Sequence, residues 1–102
     1  MTAEDKLKNA IGLAMKAGKC KSGDFSVERM LKHGDIRLLI LDPCVSDATR
    51  ERYGHYAETH GVPLIFLDDI GTAIGKPSHK IAGITEDGFK NMILNAREAS
   101  IQ

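Results

Sequence analysis

No charge of either sign predominates in this chain. Lysine and arginine together number 14, and aspartate and glutamate also number 14. Overall charge therefore offers no argument for a nucleic acid, membrane or acidic partner, and any such attraction must come from local clustering. Cysteine is scarce. Cys20 and Cys44 lie outside any Cys-x-x-Cys spacing, and two such thiols in a cytoplasmic chain are expected to be reduced and buried rather than bridged. The stretch MTAEDKLKNAIGLAMKAG breaks up its apolar positions with charges and offers no small-residue cleavage site, which argues against a signal peptide. No later run approaches membrane-spanning length, so the expected location is the cytoplasm. Low-complexity tracts, internal repeats and Pro/Gly-rich linkers are missing, and 102 residues suit one domain over the whole chain, 1–102.

Catalytic signatures are missing as well. There is no G-x-S-x-G, P-loop, G-x-G-x-x-G or H-E-x-x-H, and the hydroxyl residues fall mainly at expected helix caps. His55 and His60 are five residues apart, a spacing that does not put two ligands on one helical face, so no metal site is expected. His33, His55 and His60 read as surface residues. The acidic pairs Asp68-Asp69 and Glu86-Asp87 stand at expected helix starts, where negative charge complements the dipole. The reading is of a non-enzyme with no cofactor.

What is present is an alternation of helix and strand patterns. Leu7, Ile11, Leu13, Ala14 and Ala17 suggest one side of a first helix ended by Gly18, with a short strand at residues 19–21. Ser22 is the expected N-cap of a second helix carrying Val27, Met30 and Leu31 and stopped by Gly34. IRLLIL (36–41) is a continuous branched-aliphatic run, the pattern of a central strand covered on both faces. Ser46 should cap a helix over residues 47–60, after which GVPLIFL supplies another buried strand. DDIGTAIG reads as a short helix capped by Asp68 and closed by Gly75; HKIAGI is a last strand, and Thr85 begins a final helix with Phe89, Met92, Ile93 and Ala96. The fold class is α/β, an α/β/α sandwich with helices on both faces of a small sheet.

Charge is concentrated in one place. Between residues 16 and 37, Lys16, Lys19, Lys21, Arg29, Lys32 and Arg37 face only Asp24, Glu28 and Asp35, a net of +3 in 22 residues. At a helix N-terminus, Ser22 and Gly23 would present open backbone N–H groups, and glycine lets a phosphate or base edge approach closely. A plain capped helix with solvated lysines accounts for the same letters. A second basic cluster, Lys76, His79 and Lys80, flanks the Pro-Ser turn of GKPSHK. If these loops meet at one edge of the sheet, they form a single basic rim.

The order of elements and the stretches AIGLAMKAGKCKSG, VERMLKHGDIRLLILD, ETHGVPLIFL, IGTAIGK and IAGITEDGFKNMIL resemble the L7Ae/L30e superfamily of ribosomal proteins, known for kink-turn RNA recognition, and its short bacterial members in particular. The resemblance implies a three-layer α/β/α domain around a four-stranded mixed sheet. It also implies a structured RNA partner, ribosomal RNA foremost, bound at the start of the second helix and the neighbouring loops. The residues so implied are Lys19, Lys21, Ser22, Gly23, Asp24, Phe25, Ser26, Arg29 and Lys32 around the helix mouth. Pro43, Cys44 and Val45 follow the central strand, and the basic rim read above adds Lys76, His79 and Lys80 after the fourth helix. The family's RNA-reading pattern is Gly, a small residue, Asn, Glu, two variable residues and Lys, and here the letters are GDFSVER. Gly23 matches and Arg29 keeps the charge of the lysine, but Phe25 and Ser26 replace the Asn–Glu pair that reads guanine edges in sheared G·A pairs. This change leaves phosphate contacts open and counts against strict kink-turn reading. Phe25 either packs against the helix or stands exposed as a substitute stacking contact, and Asp42 would set a carboxylate against RNA. Two rival readings remain: a protein-interaction adaptor on the same fold, and a thiol enzyme using Cys20 or Cys44.

Overall fold

Thr2 starts the first helix with a reciprocal cap. In the computed structural model, which describes residues 2–101, its hydroxyl accepts the Asp5 amide at 3.1 Å while the Asp5 carboxylate accepts the Thr2 amide at 3.2 Å. Helix α1 (Ala3–Lys16) leads into strand β1 (Cys20–Ser22), α2 (Asp24–Lys32), β2 (Leu38–Leu41) and α3 (Asp47–His60). Strand β3 (Leu64–Phe66), the short α4 (Ile70–Ala73), β4 (Ile81–Ile84) and α5 (Asp87–Ile101) complete the chain. Ser46 caps α3 as expected, its hydroxyl accepting the Thr49 amide at 3.2 Å. No helix among the described residues is long and apolar enough to cross a membrane.

The strands run in the order β1-β4-β2-β3, with β2 and β3 parallel and the other pairs antiparallel, so the sheet is mixed. Its two inner strands, β2 and β4, are buried along their whole length, which explains why their sequences are continuous apolar runs rather than alternating ones. Pleating still divides the side chains. Leu38, Ile40, Ala82 and Ile84 pack with Leu7, Ile11 and Ala14 of α1, Ile70 of α4 and Ile93 of α5. Leu39, Leu41 and Ile81 pack on the other face with Val27 and Leu31 of α2 and Tyr53 of α3. Three helices cover one face and two the other, which makes the architecture a three-layer α/β/α sandwich around a four-stranded mixed sheet.

Several expected boundaries shift. β1 is one residue later than its sequence suggests, so Ser22 is its last residue and Gly23, not Ser22, is the N-cap of α2. Asp69 rather than Asp68 precedes α4. The Lys90 amide donates to the Glu86 carbonyl, which puts Glu86 at the head of α5, while the Thr85 hydroxyl donates across to the Lys19 carbonyl at 3.2 Å. Leu13, Ala17 and Met92 face solvent, whereas Leu7, Ala10, Ile11 and Ala14 form the buried stripe of α1. Cys44 is exposed, contrary to the expectation of a buried thiol, and Cys20 is buried; both are free.

The α4–β4 loop folds tightly over Gly71. A Cβ there would lie 2.7 Å from the Lys76 carbonyl oxygen, 2.8 Å from that of Pro77 and 2.9 Å from that of His79. Gly71→Ala should therefore destabilise the protein by about 1–3 kcal/mol through overpacking. Gly54 offers a contrast in α3, where nothing lies within 4 Å of an added Cβ. Gly54→Ala should stabilise by about 0.5–1 kcal/mol through helix propensity. Urea denaturation of both variants checks the opposite signs.

Candidate nucleic-acid interface

The three connections implicated by sequence meet at one end of the sheet, and strand direction is the reason. β1 and β2 both run antiparallel to β4, with Ser22 opposite Ala82 and Leu41 opposite Ile81, so their last residues lie beside the first residues of β4. The Gly23 amide donates to the Ile81 carbonyl at 2.9 Å and the Asp42 amide to the Lys80 carbonyl at 2.8 Å. Between the loops lies an open cleft of about 420 Å³ lined by Gly23, Asp24, Cys44, Val45, Ser46, Thr49, Ser78, His79, Lys80 and Ile81.

Asp42 organises this end instead of facing a ligand. It is buried, and its oxygens accept the Cys44 amide at 2.8 Å and the Asp69 amide at 3.0 Å. Burial alone would raise its carboxyl pKa; the two backbone N–H groups and the charge of Lys80 outweigh that and hold it below the usual value of 3.8. The expected carboxylate set against RNA is thus spent inside the loop. Ser22 is also occupied, its hydroxyl 2.8 Å from His79 Nδ1. The same imidazole rests on Gly23, whose φ of 92° is a glycine conformation and whose missing Cβ would sit 3.5 Å from the ring.

The mouth of α2 is uncapped by any side chain. Its first-turn amides have no i−4 carbonyl to bond, so they remain available to an acceptor. Asp24, the first helical residue, is drawn away from them. Arg52 of α3 grips its carboxylate with two N–H donors at 3.0 and 2.6 Å and also donates to Glu28. The Tyr53 hydroxyl donates to Asp24 Oδ1 at 2.6 Å. Hydrogen bonding to the Arg52 guanidinium leads the causes that hold the Asp24 carboxyl low, against a smaller upward push from burial. Burial first, and then the bond to Asp24, pushes the Tyr53 phenol up.

Phe25 is 79 % exposed, which answers the packing alternative in favour of solvent. With Lys21, Ser26, Arg29, Met30, His33 and Asp35 it lines a shallow depression on the outer side of α2 and β1. Lys76 and Pro43 are exposed, Val45 is half-buried against the α2–α3 face, and the Pro43 carbonyl accepts from Arg50 at 2.8 Å. Two candidates stand apart. Lys19 precedes the far end of β1, where Cys20 faces Ile84, and pairs with Glu86 at 3.9 Å. Lys32 occupies the last turn of α2, 3.0 Å from Glu28 and above the Tyr56 ring.

Sequence reasoning missed Arg52, Tyr53, Ser46, Thr49 and Ser78 as parts of this end, and misjudged Asp42. A polar residue directly after a buried apolar run is a signal that could have marked Asp42. Arg52 lies 28 residues from Asp24 and carries no local mark.

Arg52→Met should destabilise the protein by about 1–2 kcal/mol at pH 7, since the network is only partly shielded from water. The Asp24 carboxyl is depressed below 3.8 in the folded state, so its stabilising contribution is full above that value and disappears as pH falls through the folded value. The gap between wild type and Arg52→Met should then narrow below about pH 4 in urea titrations. A gap that stays constant with pH contradicts the assignment.

Residues 5–94 match the model of the ribosomal protein L7Ae/L30e/S12e/Gadd45 family. The RNA-binding protein YlxQ of Bacillus subtilis (strain 168) is 25 % identical over 88 residues, which cover 83 % of this chain and 88 % of that protein. A protein of unknown function from Bacillus halodurans superposes with a TM-score of 0.85 at 22 % identity, covering 91 % of this chain and 97 % of that one. The 15.5kD RNA binding protein of Giardia lamblia superposes with a TM-score of 0.76 at 18 % identity, covering 96 % of this chain and 87 % of its own. These two likenesses speak for the fold. With the family pattern matched over most of its length, this chain belongs to the ribosomal protein L7Ae/L30e/S12e/Gadd45 family.

Proposed function

We propose that this protein is a small, non-enzymatic RNA-binding protein that seats the backbone of a structured RNA at the mouth of α2 and the two neighbouring loops. The observation that carries the reading is the uncapped first turn of α2 opening beside a cleft that also holds His79 and Lys80. Amides pointing outward and a helix dipole favour a phosphate there, and the family membership supports RNA as the source of that phosphate. The ribosomal members named in the family make ribosomal RNA the proposed partner and the cytoplasm the proposed location. Kink-turn reading is not part of the proposal. Phe25 and Ser26 carry no equivalent of the Asn–Glu pair, so binding rests on backbone contacts, which position an RNA without reading its sequence.

Filter binding to ribosomal RNA fragments across a salt series tests this. Binding at low salt that weakens linearly on a logarithmic salt scale is expected, and no binding to any structured RNA at low salt overturns the reading. Lys80→Ala should weaken binding to every fragment alike and reduce the slope by about 0.7–0.9, the equivalent of one lost phosphate contact.

A further inference from the structure

Phe25 is the second residue of α2, and its ring is exposed while Val27 and Leu31 of the same helix are fully buried. A single exposed apolar residue needs no explanation by itself. What distinguishes this one is the charge arranged around it. Arg29 lies one turn further along the same face, and Lys21 projects from β1 into the same depression. Neither forms an ion pair among the described residues. The carboxylates that could have neutralised them, Asp24 and Glu28, are taken by Arg52 and Lys32. Asp35 is the one acidic residue lining the depression.

An aromatic face flanked by two unpaired cations matches an unstacked nucleotide: the ring covers the base, and the guanidinium and ammonium meet the phosphates on either side. Paired bases within a helix have both faces covered by their neighbours, so the ring can serve only a base turned out of the stack. A protein partner is the poorer fit, because the ring stands on an open, cationic surface and not in a groove. Resting on the RNA-binding reading above, we infer that Phe25 is a stacking platform for one unpaired nucleobase of a structured RNA, with the adjoining phosphates on Lys21 and Arg29. The RNA class is thereby a bulged or looped-out one. Stacking exploits a face that every base has, so the identity of the base matters little.

Two RNA hairpins of identical stem test the platform, one carrying a single-nucleotide 2-aminopurine bulge and the other with that nucleotide paired. Wild type should prefer the bulged hairpin and quench its 2-aminopurine fluorescence. Phe25→Ala should lose about 5- to 100-fold in affinity for the bulged hairpin, lose the quenching, and bind the paired hairpin as wild type does. Phe25→Trp should restore both signals, a rescue that a merely structural role does not predict. Circular dichroism should show all three proteins equally folded, as the exposed ring supports no core. If wild type binds ribosomal RNA fragments but has no preference for the bulge, or if Phe25→Ala equals wild type on it, the platform falls, the RNA reading stands, and the ring is left for a protein partner. If wild type binds no RNA at all, both fall.

Discussion

Asp42 closes the central strand β2 with 5 % of its surface exposed, and its two oxygens hold the amides of Cys44 and Asp69 while its own amide reaches the Lys80 carbonyl. Three segments far apart in sequence are thereby tied to one residue. A buried carboxylate without such partners would take up a proton to escape desolvation, and here the backbone donors make the ionised form the favoured one. The tie also fixes Asp69 in a left-handed conformation, φ 58°, which aspartate tolerates better than most residues. The turn that launches α4 depends on it. α4 in turn carries Gly71, over which the loop bearing His79 is folded. The geometry of the basic end thus rests on a charge that meets no ligand.

The same end shows how a chain of no net charge presents a cationic surface. Positive and negative groups are equal in number but not in availability. Glu86 and Asp87, at the head of α5, are paired with Lys19, Arg37 and Lys90 at the opposite end of the sheet. At the mouth of α2, Asp24 and Glu28 are neutralised by an arginine that the adjacent helix supplies and by Lys32. Lys21, Arg29 and Lys80 enter no ion pair among the described residues. At the mouth of α2, pairing takes the charge of Asp24 and Glu28 out of play where it would repel an anion, and leaves Lys21 and Arg29 exposed. Arg52 also keeps Asp24 from turning back onto the amides of its own helix, a place where a first-turn carboxylate is ordinarily welcome.

Most of the fold was legible because its signals are local. Apolar runs marked the inner strands, Ser46 marked the start of α3, and Gly18, Gly34, Gly61 and Gly75 adopt the positive φ that ends the segments before them. The misreadings share a cause. Ser22 and Gly23 are both good N-caps, and the choice was made by the register of β1 on β4, which places Ser22 inside the ladder opposite Ala82. Asp68 and Asp69 are equal candidates until Asp42 binds the amide of the second. Leu13 has helical spacing with the buried residues of α1, but the stripe through Leu7, Ala10, Ile11 and Ala14 leaves it on the far flank. The site was legible as a list of charges and not as a balance, since Arg52 and Tyr53 reach Asp24 only through the packing of α3 beside α2.

The departure from the family's RNA-reading pattern falls where the structure imposes least. Gly23 matches the pattern and is bound on three sides: its φ of 92° excludes ordinary side chains, His79 lies over it, and its amide belongs to the contact with β4. No comparable demand acts on the two residues that differ. Phe25 and Ser26 are exposed on the first turn, where neither contributes to the buried core of the helix. Exchanging a hydrogen-bonding pair for a ring and a hydroxyl at these positions therefore leaves the scaffold, the open amides and the cations unchanged. Positioning belongs to the fold, whereas reading belongs to side chains that the fold does not need. That separation would let one architecture keep the proposed backbone seat while changing what is recognised there.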